Sequence, residues 1–148
     1  MEKLVKITTH SDSETRRIAG AYAKTLKKGD IIFLNGEMGA GKTVFVQGCL
    51  AALGYDGPVT SPTFALCNEY FADLHVLHCD LYRISDPDEV YSAGIYDSDA
   101  DVIFVEWAER AEETLKNSRQ IDFEYGKNEN ERILTFGLGD IFDENTCS

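Results

Sequence analysis

Positive charge is what this chain has least of. Fourteen lysines and arginines stand against 26 aspartates and glutamates, a formal net charge of −12. Contact along a nucleic-acid backbone rests on clusters of Lys and Arg that release counterions, and no such cluster occurs, so broad nucleic-acid binding is disfavoured. An acidic surface serves solubility or docks a basic partner protein, and composition leaves both open. Cysteines are few: Cys49, Cys67, Cys79 and Cys147 show no C-x-x-C spacing and no His pair suited to zinc, so reduced thiols are expected. No apolar run approaches the ~20 residues of a membrane span. Met1-Glu2-Lys3-Leu4 lacks the apolar core of a signal peptide. A soluble, cytoplasmic protein without membrane contact is the expectation. Repeats, low-complexity tracts and internal linkers are also missing, which predicts one domain over 1–140 and an acidic, fraying tail over 141–148.

What the chain does have is G-E-M-G-A-G-K-T from Gly36 to Thr43. The pattern G-x-x-x-x-G-K-[ST] uses two glycines to wrap backbone around an anion, a lysine to reach the β- and γ-phosphates, and a hydroxyl to ligate Mg²⁺. The flanks suit it. Ile31-Ile32-Phe33-Leu34 is a short β-branched and apolar run, the mark of a strand buried on both faces. Residues 43–53 continue as a helix that Gly54 stops, which sets the phosphates at a helix N-terminus. Glu37, Met38, Gly39, Ala40, Gly41, Lys42 and Thr43 are therefore the expected nucleotide-binding loop.

Around this loop the elements alternate between helix and strand. Lys3 to Thr8 reads as a strand, and Ser11 with Glu14 forms a capping box for a helix reaching about Lys27, before Gly29. Gly57-Pro58 and Ser61-Pro62 mark a loop. Thr63 to Phe71 and Leu74 to Cys79 read as a hairpin turning at Ala72-Asp73. Asp86-Pro87-Asp88-Glu89 opens a short helix to about Ala93. Val102 to Val105 is a second apolar strand, expected near the P-loop strand, and Trp107 to Leu115 reads as helix. Ile121 to Tyr125 and Arg132 to Leu138 complete a last hairpin.

Nucleotide hydrolysis or transfer also needs a carboxylate at a strand end, to hold Mg²⁺ or orient the attacking water. Asp80 ends the run from Leu74, and Glu106 ends the run from Val102; adjacency to the P-loop strand favours Glu106. No N-K-x-D and no strand-end D-x-x-G supplies guanine selectivity, so adenine is the default base. Size and the lack of an H-R-D loop exclude protein kinases. A small-molecule kinase remains open, although its usual arginine clamp is thin here: of six arginines only Arg83 and Arg110 follow candidate strand ends. A nucleotide-sensing interaction module is the non-enzymatic alternative.

Four segments together resemble one family: G-E-M-G-A-G-K-T, T-S-P-T-F at Thr60 to Phe64, H-C-D-L-Y-R at His78 to Arg83, and V-E-W at Val105 to Trp107. In order and spacing the chain is similar to TsaE (YjeE), the small bacterial ATPases of tRNA threonylcarbamoyladenosine synthesis. The resemblance implies an α/β P-loop NTPase fold with a mixed parallel and antiparallel sheet flanked by helices. It implies slow, Mg²⁺-dependent ATP hydrolysis stimulated by TsaB and TsaD, which transfer threonylcarbamoyl to adenosine 37 of tRNA and handle the tRNA themselves. On that footing Lys42 binds phosphate, Thr43 and Glu106 hold Mg²⁺, and Asp80 serves catalysis or switching. Thr60 to Thr63 form a switch loop near the γ-phosphate with Thr60 at the nucleotide, Trp107 contacts the nucleotide or is simply an aromatic packed beside the site, and His10 borders the base. Ala108 stands where the family often has proline.

Overall fold

A computed structural model describes residues 4–37, 40–62, 67–82, 99–107 and 119–137. Among the described residues, seven strands and two helices follow one another as β1 (Leu4–Thr9), α1 (Asp12–Ala23), β2 (Asp30–Gly36), α2 (Lys42–Ala52), β3 (Cys67–Phe71), β4 (His75–Asp80), β5 (Val102–Glu106), β6 (Arg119–Tyr125) and β7 (Arg132–Gly137). They form one sheet in the order β1-β7-β6-β2-β5-β4-β3. The central strands β6, β2, β5 and β4 run parallel, while β3 at one edge and the β7–β1 pair at the other run antiparallel. The expected mixed α/β sheet is therefore present, and the apolar run at 102–105 pairs directly with the P-loop strand.

Both faces of the centre are apolar, as the continuous runs require. Ile32, Leu34, Val76, Val102, Phe104, Ile121 and Leu134 pack with Ile18, Tyr22, Phe45 and Leu50 of the helices. Phe33, Leu77, Cys79, Ile103 and Val105 form a second cluster on the opposite face. Every residue of β5 is buried. Each fully buried aliphatic or aromatic side chain stabilises the fold by about 1.5–3 kcal/mol. The two helices lie close because Gly48 has no side chain: a Cβ there would run into the Arg16 carbonyl and the Ala19 methyl.

Local chemistry sets the ends of α1. Ser11 Oγ accepts the Glu14 N–H at 3.1 Å, a cap worth about 1 kcal/mol, and the Glu14 carboxylate accepts the His10 N–H. The helix stops at Ala23, four residues short of the expected end. Thr25 Oγ1 donates to the Tyr22 carbonyl, the Lys24 N–H closes a tight turn onto Ala21, and Lys27 N–H donates to the Asp30 side chain. Those bonds turn the chain into β2.

The cysteine expectation needs correcting. Cys67 and Cys79 stand directly opposite in the β3–β4 register and are joined as a disulfide. Spacing of the C-x-x-C kind cannot reveal a pair that a hairpin brings together. Cys49 is free and buried, and that burial pushes its thiol far above the ordinary value against the opposing pull of Arg119. Among the described residues no helix is long and apolar enough to cross a membrane. The helices expected over 86–93 and 107–115, the first half of the strand expected from Thr63, the tail over 141–148 and Cys147 lie outside the described residues.

Candidate functional site

At the C-terminal end of β2 the chain leaves the sheet at Gly36, with φ +138°, where a Cβ would collide with the Phe123 carbonyl of β6. Only glycine fits that turn. The loop re-enters as α2 at Lys42, capped by Gly41 in the left-handed region. The first turn of α2 holds no acidic residue, so its N–H groups and dipole are left for an external anion. Glu37 and Ala40 line this loop, with the Ala40 N–H donating to the Glu37 carbonyl at 3.2 Å. Met38 and Gly39, also expected here, lie outside the described residues.

Lys42 is almost fully buried, at 4% exposure. Its ammonium donates to the Gly36 carbonyl at 2.6 Å, lies 3.7 Å from Glu106 Oε1, and sits 5.0 Å from the centre of the Trp107 ring. A lysine folded back on its own loop is held by bonds that phosphate oxygens can replace.

Glu106 and Asp80 end neighbouring parallel strands in register, and Glu106 is also the partner of Leu34 on the P-loop strand. Asp80 therefore stands beside Glu106, the carboxylate that faces Lys42. Burial, reinforced by the Glu106 charge, holds the Asp80 carboxyl above the usual carboxylate range, while the Tyr82 N–H donated to it at 2.9 Å and the Lys42 charge pull the other way. Glu106 is engaged on its second oxygen too: His78 Nε2 lies 2.5 Å from Oε2, and His78 is wholly buried.

Thr43 Oγ1 shares a 2.6 Å hydrogen bond with Ser61 Oγ. The expectation named Thr60, but Thr60 enters through its main chain: its carbonyl accepts from Asn68 Nδ2 and Tyr70 Oη, at 3.2 and 3.3 Å. Those anchors aim the next residue, Ser61, at the P-loop hydroxyl. Thr63 and Phe64 lie outside the described residues. Trp107 is the only non-glycine residue with positive φ among those described, +59°, a conformation that costs about 1–3 kcal/mol and sets its ring against Lys42 and Tyr82.

His10 is not joined to this cluster. Its backbone N–H and its ring both go to Glu14. The side chain that approaches the loop from that flank is Arg132, the β-sheet partner of Thr9, whose Cγ would lie 3.8 Å from a Cβ at Gly41. Sequence reasoning missed Arg132 and His78. The first carried no signal, whereas the second sat inside a quoted motif without an assigned role; Ser61 fell within the expected switch loop.

The oxygen donors suit a hard cation. Thr43 and Glu106 offer a hydroxyl and a carboxylate, and among the described residues no group of three His, Cys, Asp or Glu forms a full metal cage. Mg²⁺ needs no such cage, since it keeps waters and completes its octahedron with nucleotide phosphates.

Comparison with known proteins agrees with the motifs. The family model described as threonylcarbamoyl adenosine biosynthesis protein TsaE matches residues 9–134. The protein of that description from Bacillus subtilis is 37% identical over 135 residues, 90% of this chain and 85% of its own length. That from Aquifex aeolicus is 42% identical over 113 residues, 74% and 81% of the two chains. The match to the Rickettsia conorii protein, 38% identical over 105 residues, spans 69% of this chain and 60% of that relative. A crystal structure of Bacillus subtilis YdiB superposes with a TM-score of 0.73 at 35% identity, over 93% of this chain and 86% of that one. By family model, relatives and fold alike, this chain belongs to the TsaE family.

Proposed function

We propose that the chain binds Mg²⁺–ATP at the Gly36–Thr43 loop and hydrolyses it slowly, as the ATPase subunit of tRNA threonylcarbamoyladenosine formation. Its relatives carry the names of threonylcarbamoyladenosine biosynthesis proteins. The observation that carries the chemistry is the convergence of Lys42, Glu106 and Asp80 beside an α2 N-terminus free of acidic residues.

In this reading Lys42 exchanges the Gly36 carbonyl for β- and γ-phosphate oxygens. Thr43 and Glu106 hold Mg²⁺, which when bound neutralises charge developing on the phosphoryl group. Asp80, whose carboxyl is held above the usual carboxylate range by burial, orients the attacking water. Thr43 would exchange its Ser61 bond for the metal, which would couple the segment from Thr60 to occupancy of the site. Trp107 shields the ammonium, and His10 with Arg132 flanks the nucleoside side.

The partners are TsaB and TsaD, in the cytoplasm, and the tRNA is contacted through them; a surface at −12 is unsuited to holding a tRNA backbone alone. The deciding experiment is ATP turnover with and without the TsaB–TsaD pair. Slow turnover alone and faster turnover in the complex is expected, with Glu106→Gln abolishing hydrolysis while ATP still binds. No stimulation by cognate TsaB–TsaD would sink the proposal, and transfer of phosphate to a metabolite would favour a small-molecule kinase.

A further inference from the structure

β4 is apolar through Val76, Leu77, Cys79 and, just beyond it, Leu81, yet its middle holds a histidine with no exposed surface. Strand alternation puts Val76, His78 and Asp80 on the face that carries the helices, together with Val102, Phe104 and Glu106 of β5. There the His78 imidazole has one hydrogen-bond partner among the described residues: Nε2 meets Glu106 Oε2 at 2.5 Å, while the buried Nδ1 has none. A residue placed for packing alone would carry no polar atom into this face, as leucine does not. The other Glu106 oxygen, Oε1, faces Lys42.

We propose that His78 is a positioning residue, whose Nε2–H holds Glu106 Oε2 and so keeps Oε1 directed to the metal and phosphate side of the site. A buried glutamate without that donor is free to turn, so that Oε1 no longer faces the position a metal would take. Groups that orient a metal-ligating side chain in this way typically change metal affinity or activity by about 10–100-fold when removed. The inference rests on the Mg²⁺ role of Glu106 in the proposed function.

The test compares His78→Leu, His78→Gln and Glu106→Gln. Mn²⁺ affinity is read by electron paramagnetic resonance in the complex with a non-hydrolysable ATP analogue, nucleotide affinity in EDTA by calorimetry, and the melting temperature without ligand. His78→Leu is expected to weaken Mn²⁺ binding by about 10–100-fold, leave metal-free nucleotide affinity unchanged and still unfold cooperatively, below the parent because buried Glu106 Oε2 loses its donor. In His78→Gln the amide N–H lies near the Nε2 position, and the affinity should return. Wild-type Mn²⁺ affinity in His78→Leu, where Glu106→Gln loses it, would overturn the positioning role alone. Undiminished Mn²⁺ affinity in Glu106→Gln would overturn the metal role of Glu106 and this inference with it. Should His78→Leu not fold, His78→Asn replaces it: its amide falls near Nδ1, so it should lose the affinity that His78→Gln keeps, and equal affinities would overturn the proposal.

Discussion

The two ends of the central strands hold similar groups in opposite conditions. Where β2 begins, Asp30 accepts from the Lys27 N–H, the Lys27 ammonium and Arg119, at 2.9, 3.0 and 3.1 Å. Arg119 also donates to Thr25 Oγ1 at 2.7 Å and lies over the Tyr22 ring. Where β2 ends, Lys42 stands 3.7 Å from Glu106, His78 Nδ1 has no partner among the described residues, Asp80 is held above the usual carboxylate range by burial, and Trp107 is strained. A sheet end built for stability satisfies its charges internally. The other end leaves them incomplete, which is stable only because the rest of the fold is consistent, and incompleteness is what a ligand can complete.

The comparison breaks most visibly at the satisfied end. Asp30→Ala leaves Arg119 without its carboxylate and should destabilise the fold by about 3 kcal/mol, the low end for breaking a buried pair because Arg119 is partly exposed. That corresponds to a melting temperature lower by about 6–12 °C, with ATP affinity unchanged once the protein is folded. A loss of affinity at temperatures where the variant is folded would mean the two ends are coupled. Lys42→Ala is the converse. It removes a charge-assisted contact worth about 1.5–3 kcal/mol, so ATP affinity measured by calorimetry should fall by about 10–150-fold. Unchanged affinity would remove the loop from nucleotide binding altogether.

How much of this could be read from the sequence follows the same division. The P-loop, its flanking strand and helix, and the carboxylate closing the run at 102–106 were legible, because apolar runs and glycine placement are local signals. So was the second hairpin, although its pairing beside β2 was not, since nothing in residues 119–125 names a parallel neighbour 87 positions away. The early end of α1 was hidden in a threonine side chain that prefers the Tyr22 carbonyl to another helical turn. Cys67 with Cys79, and His78 with Glu106, depend on register and on which face a strand residue takes. In the same way, Tyr70 and Asn68 rather than the T-S-P motif select Ser61 over Thr60. Residues that act through a distant strand leave no periodic trace.

The smallest expected effect tests whether the incomplete end costs the fold anything. Asp80 binds its proton more tightly in the folded protein than in the unfolded chain, because burial and the Glu106 charge disfavour its ionised form. Stability from this group is therefore fully present below the ordinary carboxylate pKa of about 3.9 and is lost as pH rises through the higher folded value, above which ionised Asp80 is a net cost. Asp80→Asn keeps the shape and removes the ionisation. In metal-free buffer it should melt above the parent at neutral pH, and the difference should shrink as pH falls through the carboxylate range, whatever the parent's own acid sensitivity. The same variant is expected to lose ATP hydrolysis, so a gain in melting temperature would accompany a loss of function. A difference that is flat in pH would show that Asp80 is an ordinary solvated strand end, and would leave Glu106 and His78 to carry the contrast between the two ends.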